Sequence, residues 1–178
     1  MRKVKMLLSF AKRVICSKLG CESHLIHYNK ALLDRSLYLV DKIKKVENVE
    51  GSIVECGVGM GYSLSIFGGY SKREIFCFDS FEGFPKFSVY DGKIMNRNKL
   101  KVYEGFTIKY VKKRLRNFEI PDNRIDGIHY MKGFIPDSLK KFKFVKNKSI
   151  AILHLDLDIY QPYKDSFEFF YPYVKRGA

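Results

Sequence analysis

Ile53-Val54-Glu55-Cys56-Gly57-Val58-Gly59-Met60-Gly61-Tyr62-Ser63 is the stretch on which the reading of the fold turns. A short apolar, β-prone run carries a carboxylate near its end, and three glycines follow at alternate positions. In an α/β protein this pattern makes a strand, a tight turn and a helix N-terminus, with backbone bare enough for a nucleotide-like ligand to lie against it. The spacing narrows the ligand class. A dinucleotide fingerprint, Gly-x-Gly-x-x-Gly, requires its third glycine at position 62, and Tyr62 stands there. The pattern is instead acidic-x-Gly-x-Gly-x-Gly, led by Glu55. A tight turn with no ligand would use the same glycines.

A second signal lies downstream. Glu74-Ile75-Phe76-Cys77-Phe78-Asp79 reads as another buried strand ending in a carboxylate. In a βαβ unit, a carboxylate about 20 residues beyond the glycine loop is placed to accept both ribose hydroxyls of a bound nucleoside. Aspartate in that position also caps a following helix, and the two roles are compatible.

The composition sets the frame. A chain of 178 residues, 46% apolar and 15% aromatic, supports one domain with a substantial core. No uninterrupted apolar run reaches the length of a membrane span. The apolar stretch from Met6 to Ala11 is broken by Lys12 and Arg13, too early for a signal peptide. Cys16, Cys21, Cys56 and Cys77 form no CxxC pair, and two of them fall in expected strands, so they read as reduced buried thiols of a cytoplasmic protein. The net charge of +14 admits nucleic acid or an anionic membrane surface as partners. Its main runs, 109–116 and 140–148, interleave apolar residues at amphipathic spacing, which reads as solvated helix faces.

Along the chain, residues 3–19 carry Val4, Leu7, Leu8, Ala11, Val14, Ile15 and Leu19 on one helical stripe. Such a helix packs on the domain or on a second subunit, as in a homo-oligomer, or lies on a membrane surface as a peripheral contact. A second helix is expected over Asn29–Lys45, and the segment 1–50 is taken as an N-terminal helical part ahead of a Rossmann-like domain at 51–178. Strands are expected at 52–56, 74–79, 127–132 and 149–155, with helices from Tyr62, over Thr107–Asn117 and over 162–175. Alternating strands and helices imply an α/β fold with a parallel, doubly wound sheet. The irregular insertion 80–104 reads as a lid or mobile loop.

The fourth expected strand ends His154-Leu155-Asp156-Leu157-Asp158-Ile159-Tyr160. Period-two geometry puts His154, Asp156 and Asp158 on one side, at the end of the sheet where open α/β proteins bind ligands. Oxygen ligands of this kind suit Mg²⁺ or Ca²⁺. Equally, Asp158 could cap the last helix and His154 could be a satisfied core histidine.

The glycine loop with its leading acid looks like the S-adenosylmethionine loop of class I methyltransferases. Three ordered motifs make the resemblance specific: Asp79-Ser-Phe-Glu-Gly-Phe-Pro85, His154-Leu-Asp-Leu-Asp-Ile-Tyr160, and Phe169-Phe-Tyr-Pro-Tyr-Val-Lys-Arg-Gly177. From about Ala31 to its end the chain resembles the macrocin O-methyltransferase family, whose members methylate sugar hydroxyls. The resemblance implies a Rossmann-like class I methyltransferase fold with strand order 3-2-1-4, S-adenosylmethionine as donor, a sugar or glycoside acceptor and a divalent metal, usually Mg²⁺. Carried over by position, Glu55, Gly57, Gly59, Gly61, Tyr62 and Ser63 line the methionine end, Asp79 and Ser80 hold the ribose, and Gly133 and Phe134 border the adenine. Asp156 is the metal ligand and, with His154, a catalytic candidate. A base must also take the acceptor proton. Residues 80–128 contain no histidine, so Asp91, Lys93, Tyr103 and His154 all remain candidates. The family continues into further strands where this chain stops, so the expectation is a fragment or truncated form with an incomplete metal site. A truncated cofactor-binding module without activity, or a nucleic-acid methyltransferase, are the other readings; no Asn/Asp-Pro-Pro-Tyr-type motif supports the latter.

Overall fold

In a computed structural model the protein is described over residues 22–85, 91, 101–144 and 149–177. The stripe at 3–19, Lys93 and most of the 80–104 insertion lie outside the described residues. Four strands form the sheet: β1 (Ser52–Cys56), β2 (Ile75–Asp79), β3 (Ile128–Lys132) and β4 (Ile150–Leu155). Every pairing is parallel and the spatial order is β3-β2-β1-β4. The sequence expects this order, and each strand starts within one residue of its expected place. Short apolar runs closed by glycine or a carboxylate leave little freedom in where a strand can end.

The alternation of side chains divides the core into two layers. On one face Ile53, Ile75 and Cys77 meet Leu39 and Ile43 of α1 (Glu22–Lys45), Leu64 and Phe67 of α2 (Tyr62–Tyr70), and Val111 and Leu115 of α3 (Ile108–Asn117). On the other, Val54, Cys56, Phe76 and Phe78 meet Phe142 of the 3₁₀ segment Asp137–Phe144 and Phe170 of α5 (Tyr160–Phe170). β1 is buried along its whole length, as a central parallel strand covered on both faces must be. Phe142 sits at the centre of the second layer, with edge-on ring contacts to Phe76 and Phe170 at 5.4 and 5.1 Å.

Several local boundaries differ from the sequence reading. Helix α1 begins at Glu22 rather than Asn29; residues 22–28 contain no glycine or proline to stop it. The last helix ends at Phe170 and tightens into a 3₁₀ turn over Tyr171–Tyr173, because Pro172 cannot donate the next helical hydrogen bond. A short helix α4 (Asp122–Asp126) carries the chain from α3 into β3. Beyond it, Val174 forms a parallel bridge with Ile150, so the chain returns along the outer edge of β4. On the basic helix α3, Val111 and Leu115 point inward, while Lys112 and Arg116 pair with Asp126 and Asp122. Lys109, Lys113 and Arg116 are exposed, the solvated helix face their spacing implies, whereas Arg114 turns toward the interior. No described helix is long and apolar enough to cross a membrane.

Candidate active site

With strands running β1→β2→β3 to one side and the chain then returning to β4 on the other, the switch point of the sheet lies between β1 and β4. Ligands of open α/β sheets bind outside the carboxyl ends of the strands at such a point. A cavity of about 810 Å³ opens there, walled by the β1–α2 loop, the ends of β2 and β4, and the aromatic residues Phe84, Tyr103 and Phe106.

The glycine loop is built by three different constraints. Gly57 has φ +87°, and a Cβ there would lie 2.2 Å from the Asp156 carbonyl oxygen. Its bareness is therefore demanded by the chain just past β4, where the Asp156 N–H donates to the Cys56 carbonyl at 2.9 Å. This differs from the reading in which the glycine makes room for the ligand alone. Gly59, with φ +49°, has no atom within 4 Å of its virtual Cβ, and there the backbone faces open space in the cavity wall. Gly61, at φ +79°, is the N-cap of α2 and packs against Val111; it does not line the cavity.

Asp79 holds the loop in shape. Its Oδ2 accepts hydrogen bonds from the N–H groups of Val58 (2.7 Å) and Gly59 (3.1 Å), and its Oδ1 from Phe81 (2.7 Å). A carboxylate is suited to this because it only accepts, and it meets only donors. Asp79 and Ser80 line the cavity, as do Tyr62, Ser63, Gly133 and Phe134. The Gly133 N–H donates to the Asp79 carbonyl at 3.0 Å, which fixes the β3 end beside the β2 end. The Tyr62 hydroxyl donates to the Leu32 carbonyl at 2.6 Å and ties α2 to α1.

Glu55 and His154 lie elsewhere. Glu55 is 0% exposed, beneath the loop, where Ser63 Oγ donates to its Oε1. His154 Nδ1 is 3.4 Å from the same oxygen, and its ring meets Phe67 edge-on at 5.5 Å. Neither residue lines the cavity. Period two does put His154 on the same face as Asp156, but one turn of the pleat deeper, where it is an interior neighbour of a buried carboxylate. Glu55 Oε2 and His154 Nδ1 are both buried without a hydrogen-bond partner.

At the other wall Asp156 and Asp158 reach the cavity. Asp156 Oδ2 forms an ion pair with Nη2 of Arg35, from the middle of α1, with side-chain exposures of 45% and 40%. Partial burial and the neighbouring Asp156 push the Asp158 carboxyl above its usual range, and Arg35 opposes this. Asp158 does not cap α5: the N-cap is Ile159 without a side-chain bond, and the Tyr160 N–H donates to Asp91 at 2.8 Å. Asp91 is thus engaged at a helix N-terminus, and Tyr103, the other described candidate base, stacks edge-on between Phe84 and Phe106 at 4.9 and 5.2 Å. Arg35 and Arg114 also line the cavity, and sequence reasoning did not single out either one. Arg35 meets Asp156 across 121 positions of chain, a distance no local pattern encodes.

Among the described residues no three His, Cys, Asp or Glu side chains gather into a group that could hold a metal ion. With Asp156 already paired to a guanidinium, these residues do not fit a divalent cation. The cofactor side fits better. Bare backbone at Gly59, polar groups at Asp79 and Ser80, and the ring of Phe134 offer one apolar and several hydrogen-bonding surfaces to a nucleoside.

Comparison with known proteins shows the family of this chain. A family model described as macrocin-O-methyltransferase (TylF) matches residues 29–178. The curated 8-demethyl-8-(2,3-dimethoxy-alpha-L-rhamnosyl)-tetracenomycin-C 4'-O-methyltransferase of Streptomyces olivaceus is 27% identical over 153 residues, covering 82% of this chain. The chain spans 57% of that relative's length. Among solved structures, the calicheamicin methyltransferase CalS11 aligns with a TM-score of 0.65 at 25% identity, over 99% of this chain and 75% of the other. The O-methyltransferase NovP aligns with a TM-score of 0.63 at 23% identity, over 80% of this chain and 61% of the other, a likeness of fold.

Proposed function

Because this chain belongs to the macrocin-O-methyltransferase (TylF) family, we propose that it binds S-adenosylmethionine and acts in methyl transfer to a sugar hydroxyl. The observation that carries the reading is the β1–α2 loop, held by Asp79 so that the open backbone at Gly59 faces the cavity at the switch point. The tetracenomycin relative is named for the 4'-O-methylation of a rhamnosyl-bearing compound, which supports a sugar-bearing acceptor.

S-adenosylmethionine supplies an electrophilic methyl group on a sulfonium. The protein's share is to bind, to orient and to handle one proton. Gly59, Asp79, Ser80, Gly133 and Phe134 surround the nucleoside in this reading, and Tyr62 and Ser63 border the methionine end. Glu55 acts from below through Ser63, fixing the start of α2. The aromatic wall of Phe84, Tyr103 and Phe106 gives a sugar or its apolar aglycone a face to pack against. Asp156 lines the cavity beside the glycine loop, where its own backbone carbonyl packs against Gly57. Its carboxylate is suited to accept a hydrogen bond from the acceptor hydroxyl and orient it for attack. His154, behind the loop, is left out of the proton path.

Mg²⁺ assistance, which the family resemblance implies, enters no step here, because the described donors do not fit it. The test is transfer of a labelled methyl group from S-adenosylmethionine to a panel of free, glycosidic and nucleotide-linked sugars. Labelled sugar product that disappears with Gly59→Val supports the reading. A folded chain that binds no S-adenosylmethionine and labels no acceptor overturns it.

A further inference from the structure

We propose that Arg35 is the resident cation of Asp156: it pairs with this carboxylate, positions it at the cavity wall and excludes a divalent ion from it. The observation is an ion pair between groups from two distant elements, α1 and the segment after β4, formed at the wall of the cavity outside the carboxyl ends of the strands. Three features make it more than a surface contact. Arg35 reaches Asp156 from a helix that is itself anchored to the glycine loop, since the Leu32 carbonyl one turn earlier accepts from Tyr62 at 2.6 Å. Ser36, the next residue of α1, is buried and bonds back to the same carbonyl at 2.8 Å. The helix therefore cannot slide without disturbing the start of α2, and this fixes the point from which Arg35 reaches the carboxylate. Finally, both Arg35 and Asp156 line the cavity, so the pair is made at its wall.

The consequence follows from charge. A divalent cation at Asp156 would have to approach a guanidinium already in contact with the same oxygen. Mg²⁺ gives up its water reluctantly and needs more than one carboxylate to hold it. Among the described residues Asp156 and Asp158 are the carboxylates of this wall, and with one positive charge already beside them their net charge is too small for that. Arg35 is instead the cation that pairs with Asp156 and orients it. The pairing concerns cation binding alone and is independent of whether the chain transfers a methyl group.

The experiment is a Mn²⁺ titration of the full 178-residue chain, read by loss of the free-ion electron paramagnetic resonance signal. Wild type is compared with Arg35→Lys, Arg35→Gln and the double variant Arg35→Gln/Asp156→Asn. Removing a unit charge next to the carboxylate is expected to tighten Mn²⁺ by about tenfold in Arg35→Gln, after allowance for solvent screening. Arg35→Lys, which keeps the charge, stays as weak as wild type, and the double variant loses the gain. A second reading uses the wild-type fold itself. The Arg35 Nε–H resonance, assigned through Arg35→Lys, shifts in Asp156→Asn and holds still when Mg²⁺ is added to the wild type. Arg35→Gln with unchanged Mn²⁺ affinity, a gain that survives Asp156→Asn, or an Arg35 resonance displaced by Mg²⁺ in the wild type would each overturn the proposal.

Discussion

Replacing Gly57 by alanine tests how the loop and β4 depend on each other. Two costs add. At φ +87° an L-residue pays about 1–2 kcal/mol for the left-handed backbone alone. The new Cβ, 2.2 Å from the Asp156 oxygen and 2.8 Å from its carbonyl carbon, must then be relieved by moving backbone, since both of these atoms are backbone and only the milder contact, Leu157 Cδ2 at 3.3 Å, is a side chain. Moving Asp156 by about 1 Å weakens its N–H bond to Cys56, and moving Gly57 weakens its own bond to Phe78, each worth about 1 kcal/mol. The total is on the order of 3 kcal/mol, or a fall in melting temperature of roughly 6–12 °C for a chain of this size. Gly59→Ala is the control: φ +49° with open space around the Cβ costs only about 1 kcal/mol but puts a methyl group at the cavity wall. Far-UV circular dichroism melts of the two variants, with calorimetry of S-adenosylmethionine, separate the effects. Gly57→Ala should lose mainly stability, and Gly59→Ala mainly cofactor affinity. A Gly57→Ala protein that melts with the parent would refute the close approach of β4 on which this reasoning rests.

Other substitutions probe the remaining parts. Asp79→Asn replaces one accepting oxygen by an NH₂ that faces N–H donors of Val58, Gly59 or Phe81, so denaturant titration should show a loss of about 1–3 kcal/mol, with weaker S-adenosylmethionine binding alongside. Phe142→Ala empties the centre of the second core layer and should cost about 3–5 kcal/mol by the same titration; a smaller loss would mean that the Asp137–Phe144 segment does not cover the sheet. Burial pushes the thiols of Cys56 and Cys77 well up. The folded state therefore holds these protons more tightly than the unfolded chain, whose thiols titrate near 8.5, and this contribution is complete below that pH and declines as pH rises above it. In a Cys16→Ser/Cys21→Ser background the two thiols should resist a disulfide reagent at pH 8 and react fully in denaturant; rapid native reaction would contradict their burial.

How much was legible in the sequence depends on whether a feature is local. The strands were readable because runs such as Ile53–Cys56 and Ile75–Phe78 are apolar, β-prone and closed by a glycine or a carboxylate. The cavity-lining roles of Gly59, Asp79 and Asp156 could be placed because the topology of a parallel sheet fixes where strand ends meet. Three things could not be read. The reason for Gly57 lies in the backbone of a strand almost a hundred residues later. His154 shares a face with Asp156 by period two, yet periodicity does not tell depth, and the ring sits against Phe67 and Glu55 instead of in the cavity. Arg35 appears in sequence as one more cation on a basic helix, and only the packing of α1 on α2 brings it to Asp156. The end of α5 is set by a simpler and local signal, Pro172, which stops the helix at Phe170 rather than at 175.

The most direct test of the central claim is isothermal calorimetry of S-adenosylmethionine against NAD⁺ on the folded chain. The glycine spacing, the bare backbone at Gly59 and the Asp79-pinned loop predict single-site binding of S-adenosylmethionine, lost in Gly59→Val, and no binding of NAD⁺. A chain that is folded by circular dichroism and binds NAD⁺ as well as or better than S-adenosylmethionine would contradict the account.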